Sequence, residues 1–211
     1  MQNNNCQLYL ISPESFDIKE FKDNVLQAFE GGQIGAFQLR MKKSSDDDIK
    51  RAAEIIMPIC KNNGTQFILN DRPDLAAALG ADGVHIGEEQ DGTYESARKI
   101  IGKDKVVGIS CYGSIDRAID FSEKGADYVA FGAFYPTTTK TPKARPSKEI
   151  LEWWSRNSVI PCVAIGGINA ENCSPLVASG ADFIAVVSAI WTHAKGPKKA
   201  VKELLDAIAS V

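Results

Sequence analysis

The sequence lacks a surplus of basic residues, because 24 lysines and arginines stand against 27 aspartates and glutamates and give a formal net charge of −3. Binding to a phosphate backbone needs a concentrated basic face, so we expect no nucleic-acid partner. The sequence also lacks an apolar run of bilayer length and a basic, then apolar, secretory leader. We therefore expect a cytoplasmic protein that makes no membrane contact.

Paired cysteine motifs are missing as well. The five cysteines form an odd set without CxxC spacing, which disfavours both a disulfide framework and a zinc site. Hydrophobic residues make up 44% of the chain and charged residues 24%, as in ordinary globular proteins. No linker rich in Pro, Gly or Ser divides the 211 residues, and a chain of this length can bury one large core. These observations predict a single domain over residues 1–211.

What the sequence does contain is a regular alternation of short apolar runs and longer helical patterns. The runs are typical of strands that are buried on both faces of a parallel sheet. Eight can be counted: Gln7–Ile11, Ala36–Leu39, Gln66–Leu69, Gly83–Ile86, Val106–Ile109, Tyr128–Phe131, Cys162–Ile165 and Phe183–Val187. The tripeptide Gly-Ala-Asp precedes a strand three times, at 80–82, 125–127 and 180–182. Eight strand–helix units in 211 residues favour a (β/α)8 TIM barrel over a doubly wound sheet.

In such a barrel the active site is built from the loops that follow the strands. Arg40 and Lys42 follow the second predicted strand and Lys140 follows the sixth, which gives the barrel mouth a cationic cluster. A protein of net negative charge has little structural reason to gather cations there. The cluster therefore indicates an anionic, phosphorylated small-molecule substrate. The alternative is that these are solvated surface charges.

Small residues follow the last two predicted strands. Gly166-Gly167 comes after the seventh strand and Ser188-Ala189 after the eighth. Barrels often bind phosphate at these two positions, through backbone N–H groups that only small residues leave accessible. The pairs predict a phosphate site, although a Gly-Gly pair can also simply form a turn.

Acidic residues follow the third and fourth strands. Two carboxylates that face phosphate oxygens form a typical magnesium site, so Asp71 and one of Glu88, Glu89 and Asp91 predict a bound Mg²⁺. The alternative for Asp71 and Asp91 is capping of the helices that follow them. His85 is the only histidine near these residues, and it is either a general acid or base or a packed, hydrogen-bonded barrel residue.

Eight motifs occur in order along nearly the whole chain: Leu8–Ile11, Gln38–Lys42, Leu69–Arg72, Gly83–Gly87, Gly108–Ser110, Pro136–Lys140, Ala164–Ile168 and Val186–Ile190. In this order the motifs resemble those of the thiamine phosphate synthase family. The resemblance implies a (β/α)8 barrel that uses Mg²⁺ to join a hydroxymethylpyrimidine diphosphate to a thiazole phosphate. Pyrophosphate leaves as a pyrimidine methyl cation forms, and the thiazole nitrogen captures that cation, so no protein nucleophile is implied.

The resemblance also implies roles for individual residues. The pyrimidine diphosphate would be held by Gln38, Arg40, Lys42, Asn70, Ser110 and Lys140, and the substrate-binding segment after the second strand would include Leu39 and Met41. Among these, the catalytic residues would be Arg40, Lys42, Ser110 and Lys140. The thiazole phosphate would be held by Thr137, Thr138, Thr139, Gly167, Val187 and Ser188. Asp71 would be a magnesium ligand.

The chain departs from the family pattern after the fourth strand. The family usually reads His-Leu-Gly-Gln-Glu-Asp, whereas this chain reads His-Ile-Gly-Glu-Glu-Gln-Asp over residues 85–91. The acid is thus one residue late, and we expect an inserted loop residue to let Asp91, rather than Glu89, serve as the second metal ligand. The family also often has His where this chain has Tyr112.

Two other functions are compatible with the resemblance. A thiazole tautomerase-like paralogue would keep the barrel and the phosphate site, but it would need no diphosphate clamp of the kind that Arg40, Lys42 and Lys140 form. A protein that binds thiamine intermediates without turnover is the second alternative. The sequence is also compatible with a homo-oligomer.

Overall fold

The computed structural model describes residues 6–87, 93–137 and 143–211. Eight strands form its centre: β1 Gln7–Ile11, β2 Ala36–Leu39, β3 Gln66–Asn70, β4 Gly83–Ile86, β5 Val106–Tyr112, β6 Tyr128–Gly132, β7 Cys162–Ile165 and β8 Phe183–Val186. All pairings are parallel, each strand pairs with the next along the chain, and β8 closes the barrel on β1. The predicted (β/α)8 TIM barrel is therefore confirmed.

Helices follow the strands. Those in the described residues are α1 Ile18–Glu30, α2 Asp46–Asn62, α3 Pro73–Leu79, α4 Tyr94–Ile101, α5 Ile115–Glu123, α6 Glu149–Asn157, α7 Ser174–Ala178, α8 Ser188–Trp191 and α9 Gly196–Ala209. Side-chain caps begin several of them: Asp17 accepts the first free N–H groups of α1, and Ser45 accepts the Asp48 N–H at the start of α2. Within the described ranges, no helix is both long and apolar enough to cross a bilayer.

The repeated Gly-Ala-Asp tripeptide has one structural role in its three copies. Its glycines have φ between 72° and 94°, the left-handed conformation that favours glycine, and its alanines are buried. Each aspartate then accepts a backbone N–H at 2.7–2.8 Å from the start of an adjoining strand and donates its own N–H to the carbonyl of the same residue. The strand residues bound in this way are Phe67, Val107 and Cys162. The three aspartates therefore fasten strand pairs at the amino end of the barrel.

Alternate strand residues pack into two separate cores. The larger core lies between the barrel and the helices and includes Leu8, Leu10, Phe37 and Trp154. The smaller core fills the barrel interior; Tyr9 and Tyr128 belong to it, and their rings meet edge to face at 6.1 Å. Both faces of each strand are thus buried, which explains why the strands read as continuous apolar runs.

Candidate active site

A pocket opens at the carboxyl ends of the strands, and every strand or the loop after it contributes to its wall. Of the predicted substrate-binding residues, those that line the pocket are Gln38, Arg40, Lys42, Asn70, Ser110, Thr137, Gly167, Val187 and Ser188. They come from six different strand ends or loops, far apart in the sequence. The barrel therefore brings most of the predicted substrate-binding residues to one place.

The other predicted residues divide into two groups. Leu39 and Met41 are 1% and 7% exposed, and their side chains lie in the core between the barrel and the helices, not in the pocket. This is the strand alternation expected when Gln38, Arg40 and Lys42 face the pocket. The remaining predicted residues, Glu88, Glu89, Asp91, Thr138, Thr139 and Lys140, lie outside the described residues.

The cations that follow β2 are held by acids. The backbone N–H of Arg40 donates to Ser12 Oγ at 2.9 Å, and its guanidinium lies 4.0 Å from Glu14. Lys42 Nζ lies 2.9 Å from Asp71 Oδ2, and the Lys42 side chain is only 24% exposed. Both cations line the pocket. An anion that enters it therefore meets two positive side chains from one strand end.

Asp71 is a buried carboxylate in an uncommon backbone conformation, with φ of 59° and 6% exposure. Its Oδ1 accepts the Gly87 N–H at 2.6 Å, and its Oδ2 accepts the Asn70 side-chain amide at 2.6 Å. Burial acts to raise the pKa of Asp71, but the Gly87 hydrogen bond and the Lys42 charge outweigh it, so the pKa lies below its usual range. Asp71 is thus held as an anion beside the pocket.

Helix capping does not explain Asp71. The residue at the N-cap position of α3 is Arg72, and α3 has no side-chain cap hydrogen bond. The carboxylate instead lines a recess that adjoins the pocket at Lys42 and Asn70. The capping alternative for Asp71 was therefore wrong, and the same alternative for Asp91 concerns a residue outside the described ranges.

The glycines that follow β7 allow two loops to approach closely. Gly167 has φ of 67°, and a Cβ placed on it would lie 2.3 Å from the Pro136 carbonyl oxygen. Gly166 has φ of 102°, and its Cβ would lie 2.2 Å from that of Ala133. After the neighbouring strand β8, Ser188 begins the short helix α8 and also lines the pocket. The loop after β6 therefore reaches the pocket only because small residues follow β7.

A chain of hydrogen bonds crosses the barrel below the pocket mouth. Gln38 Nε2 donates to the Tyr9 hydroxyl at 3.0 Å, and the Tyr9 and Tyr128 hydroxyls are 2.9 Å apart. The Tyr128 hydroxyl is 2.9 Å from His85 Nδ1, and His85 Nε2 is 2.9 Å from Ser110 Oγ. His85 is 7% exposed, so the structure agrees with the packed, hydrogen-bonded barrel histidine that was one of its two predicted roles.

Among the lining residues that sequence reasoning missed, three have polar side chains that matter here: Tyr9, Tyr128 and Lys143. The tyrosines lie in strands whose two faces are both buried, so no polar alternation distinguished the inner face. Lys143 follows the Pro136–Lys140 motif, and its ammonium lies 5.0 Å from the centre of the Tyr112 ring. The Tyr112 hydroxyl donates in turn to the Gly87 carbonyl, which ties the loop after β4 to the end of β5.

Comparison with known proteins identifies the family. A sequence model described as thiamine monophosphate synthase matches residues 8–190. The chain belongs to the thiamine monophosphate synthase family. The predicted resemblance is therefore confirmed over most of the chain.

Individual members of the thiamine monophosphate synthase family align over nearly their full length. The thiamine-phosphate synthase of Rhodospirillum centenum is 48% identical over 198 residues, which cover 94% of this chain and 95% of that protein. That of Erythrobacter litoralis is 44% identical over 191 residues and 88% of each chain. The solved structure of thiamine phosphate pyrophosphorylase from Pyrococcus furiosus superimposes with a TM-score of 0.83 at 32% identity, covering 98% of this chain and 97% of that one.

Proposed function

We propose that this chain is a thiamine-phosphate synthase, a transferase that joins 4-amino-2-methyl-5-(diphosphooxymethyl)pyrimidine to a thiazole phosphate and releases pyrophosphate. The observation that carries the proposal is the meeting of Arg40, Lys42 and Asn70 in one pocket beside the Asp71 carboxylate. Two relatives named thiamine-phosphate synthase, 48% and 44% identical to this chain, support it. Function is thus assigned from the site as well as from the fold.

The reaction needs stabilisation of a leaving diphosphate more than it needs a nucleophile. The bond between the pyrimidine methylene carbon and the diphosphate oxygen breaks, the diphosphate keeps the electron pair, and the thiazole nitrogen donates its lone pair to the carbon. Arg40 and Lys42 would neutralise the charge that develops on the diphosphate. Lys140 would add a third cation, although it lies outside the described residues.

The cysteine closest to this chemistry is not suited to covalent catalysis. Cys111 follows Ser110 in β5, but it is fully buried, and burial raises the pKa of its thiol to about 12. The thiol is therefore protonated near neutral pH. This agrees with a substitution in which the pyrimidine methylene carbon leaves the diphosphate and bonds to the thiazole nitrogen without a covalent bond to the protein.

The chemistry of Asp71 fits a magnesium ion. The residue offers an anionic oxygen beside the pocket, and Mg²⁺ is commonly held by one or two carboxylates together with substrate phosphates and water. Among the described residues no group of three or more acids, histidines or cysteines could hold a metal alone. Asp71, with Asp91 rather than Glu89 as its partner, would hold the ion against the diphosphate. When bound, Mg²⁺ neutralises charge on the leaving group.

The thiazole phosphate is assigned to the opposite side of the pocket. Thr137 and Gly167 come from the loops after β6 and β7, and Val187 and Ser188 come from the end of β8. Backbone N–H groups beside small residues suit a phosphate monoester. Thr138 and Thr139 would complete this subsite, but they lie outside the described residues. The two substrates would then face each other across the barrel mouth.

The decisive experiment supplies purified protein with Mg²⁺ and both phosphorylated substrates. We expect thiamine phosphate and pyrophosphate in equal amounts. Proton exchange on the thiazole phosphate alone would instead identify a tautomerase. Tight calorimetric binding of the substrates without turnover would identify a binding protein. A cytoplasmic location is proposed with this function, supported by the five free cysteines.

A further inference from the structure

We propose that Tyr128 and His85 are positioning residues that turn the Ser110 hydroxyl into a hydrogen-bond donor toward the bound pyrimidine diphosphate. The inference rests on the proposed function for its substrate. It concerns residues that neither the cation cluster nor the magnesium site uses. Its basis is the direction of hydrogen bonding along the buried chain from Gln38 to Ser110.

The members of this chain are buried and closely fixed. Tyr9 is 2% exposed and Tyr128 is 7% exposed. The Tyr128 ring stacks on the His85 ring with centroids 5.6 Å apart, and it lies so close to β5 that a Cβ on Gly108 would be 1.9 Å from its Cζ. The Arg117 Nε–H donates a hydrogen bond to the Ser110 carbonyl oxygen, with 3.0 Å between Nε and the oxygen. The geometry that joins Tyr128, His85 and Ser110 is therefore built into three strands.

Proton counting assigns a direction to the chain. Each tyrosine hydroxyl has one proton to donate and can accept as well. Gln38 donates to Tyr9, so the Tyr9 proton is available for Tyr128, and the Tyr128 proton is available for His85 Nδ1. His85 then carries its proton on Nε2 and donates it to Ser110.

The Tyr9 proton argues against the reverse direction. If Tyr128 donated to Tyr9, the Tyr9 oxygen would accept from both Tyr128 and Gln38. Its own proton would then have no acceptor among the described residues, in a side chain that is 2% exposed. Unsatisfied buried donors are costly. Burial also raises the pKa of Tyr9 to about 12 and raises that of Tyr128, so both hydroxyls keep their protons.

The consequence falls on Ser110, which lines the pocket. When His85 Nε2 donates to Ser110 Oγ, the Ser110 proton is left to point at the substrate. In the opposite tautomer Ser110 would give its proton to His85 and offer only lone pairs. A diphosphate oxygen or a pyrimidine ring nitrogen accepts hydrogen bonds, so only the first arrangement provides a matching donor.

The tautomer can be read directly, because the chain has only two histidines, His85 and His193. Protein labelled with ¹⁵N-histidine gives two sets of two-bond ¹H–¹⁵N correlations, and the variant His193→Gln assigns them. We expect the His85 proton on Nε2, with Nδ1 bare. A proton on Nδ1, or on both nitrogens, would overturn the proposal. This measurement needs no catalytic turnover, so it stands apart from the fate of the proposed function.

Two matched variants separate positioning from simple packing. Tyr128→Phe and Tyr9→Phe each remove one buried hydroxyl from the same chain. Only Tyr128→Phe removes the donor to Nδ1, so we expect it to mix the two His85 tautomers, whereas Tyr9→Phe keeps the proton on Nε2. Equal spectra for His85 in both variants would contradict a positioning role for Tyr128.

A double-mutant cycle then connects the tautomer to catalysis. In the wild-type background Tyr128→Phe should lower kcat on the order of tenfold, as expected for one hydrogen bond that strengthens in the transition state. In the Ser110→Ala background the same change should have no further effect, because its route to the substrate is gone. An equal loss in both backgrounds would refute the assignment. Absence of turnover in the wild type would refute the proposed function instead, and the tautomer would still be measured.

Discussion

Lys42 Nζ lies 2.9 Å from Asp71 Oδ2, and this ion pair joins the cation assigned to the diphosphate to the carboxylate assigned to magnesium. The two charges lie in the segments that follow β2 and β3, and they meet where the pocket and the adjoining recess share a wall. Each side chain holds the other in place. Removal of either charge should therefore affect both metal and diphosphate binding.

Asp71→Asn tests the metal assignment. The amide keeps the shape of the side chain and an oxygen for the Gly87 N–H, but it loses the charge that would hold Mg²⁺. We expect kcat to fall by about a hundredfold or more, with an unchanged far-ultraviolet circular dichroism spectrum. Titration of activity with Mg²⁺ measures the effect. Asp74→Asn, which alters an acid paired with Arg72 outside the pocket, is the control; normal turnover in Asp71→Asn would remove the metal argument.

Arg40→Gln tests the diphosphate clamp. The change removes a mostly buried cation from the pocket wall, so kcat/KM for the pyrimidine diphosphate should fall on the order of a hundredfold, while KM for the thiazole phosphate changes little. Steady-state kinetics with each substrate varied in turn gives both values. The matched control is Arg51→Gln, at a surface arginine of α2 whose side chain is 65% exposed. Equal kinetics in the two variants would show that Arg40 does not act on the diphosphate.

Acid titration of stability should show the contribution of Asp71. Its pKa is lowered in the folded protein, so the carboxylate stabilises the fold fully above its unfolded pKa of about 3.9, and that contribution is lost as the pH falls through the lower folded value. The free energy of unfolding of the wild type should therefore drop more steeply below about pH 4 than that of Asp71→Asn. Urea unfolding at a series of pH values provides the comparison. Parallel curves would mean that the Asp71 pKa is not lowered.

Gly167→Ala tests the close approach of the loops after β6 and β7. Gly64 is a matched control, because its φ of 65° is close to the 67° of Gly167 but no atom lies within 4 Å of its Cβ position. Gly64→Ala should lower the free energy of unfolding only by the backbone strain, about 1–2 kcal/mol. Gly167→Ala should lower the free energy of unfolding by roughly 1–3 kcal/mol more, because its Cβ would clash with the Pro136 carbonyl oxygen. Denaturant unfolding measures both, and equal losses would disprove the steric account.

More of the fold than of the site could be predicted from the sequence. Strands that are buried on both faces consist of continuous apolar runs, which show where the strands lie in the sequence. The predicted and observed bounds differ only at strand ends near the pocket. β5 extends to Tyr112, beyond the predicted end at Ile109. The apolar run stops earlier than the strand because Ser110 and Tyr112 face the pocket. The strand is also irregular there, with a shift of register between Ser110 and Tyr112 and a φ of 55° at Tyr112.

The site was predictable where polar or charged residues stand at the carboxyl ends of the strands or just after them, and not where aromatic residues lie deeper in the barrel. Arg40, Lys42 and Asp71 stand at strand ends, so their charge alone drew attention to them. Tyr9 and Tyr128 look like ordinary core aromatics, and only the register of the closed barrel brings their hydroxyls to 2.9 Å from each other. That contact depends on strands 119 residues apart, which no local pattern records.

The three aspartates of the Gly-Ala-Asp repeats lie at the end of the barrel opposite to the pocket. Because they fasten the strands there, the rim that performs the chemistry does not have to hold the barrel closed. Such a division leaves the rim open to evolutionary change: loops can lengthen and ligands can shift position while the scaffold stays intact. The same freedom makes this rim a suitable target for laboratory selection of new substrates.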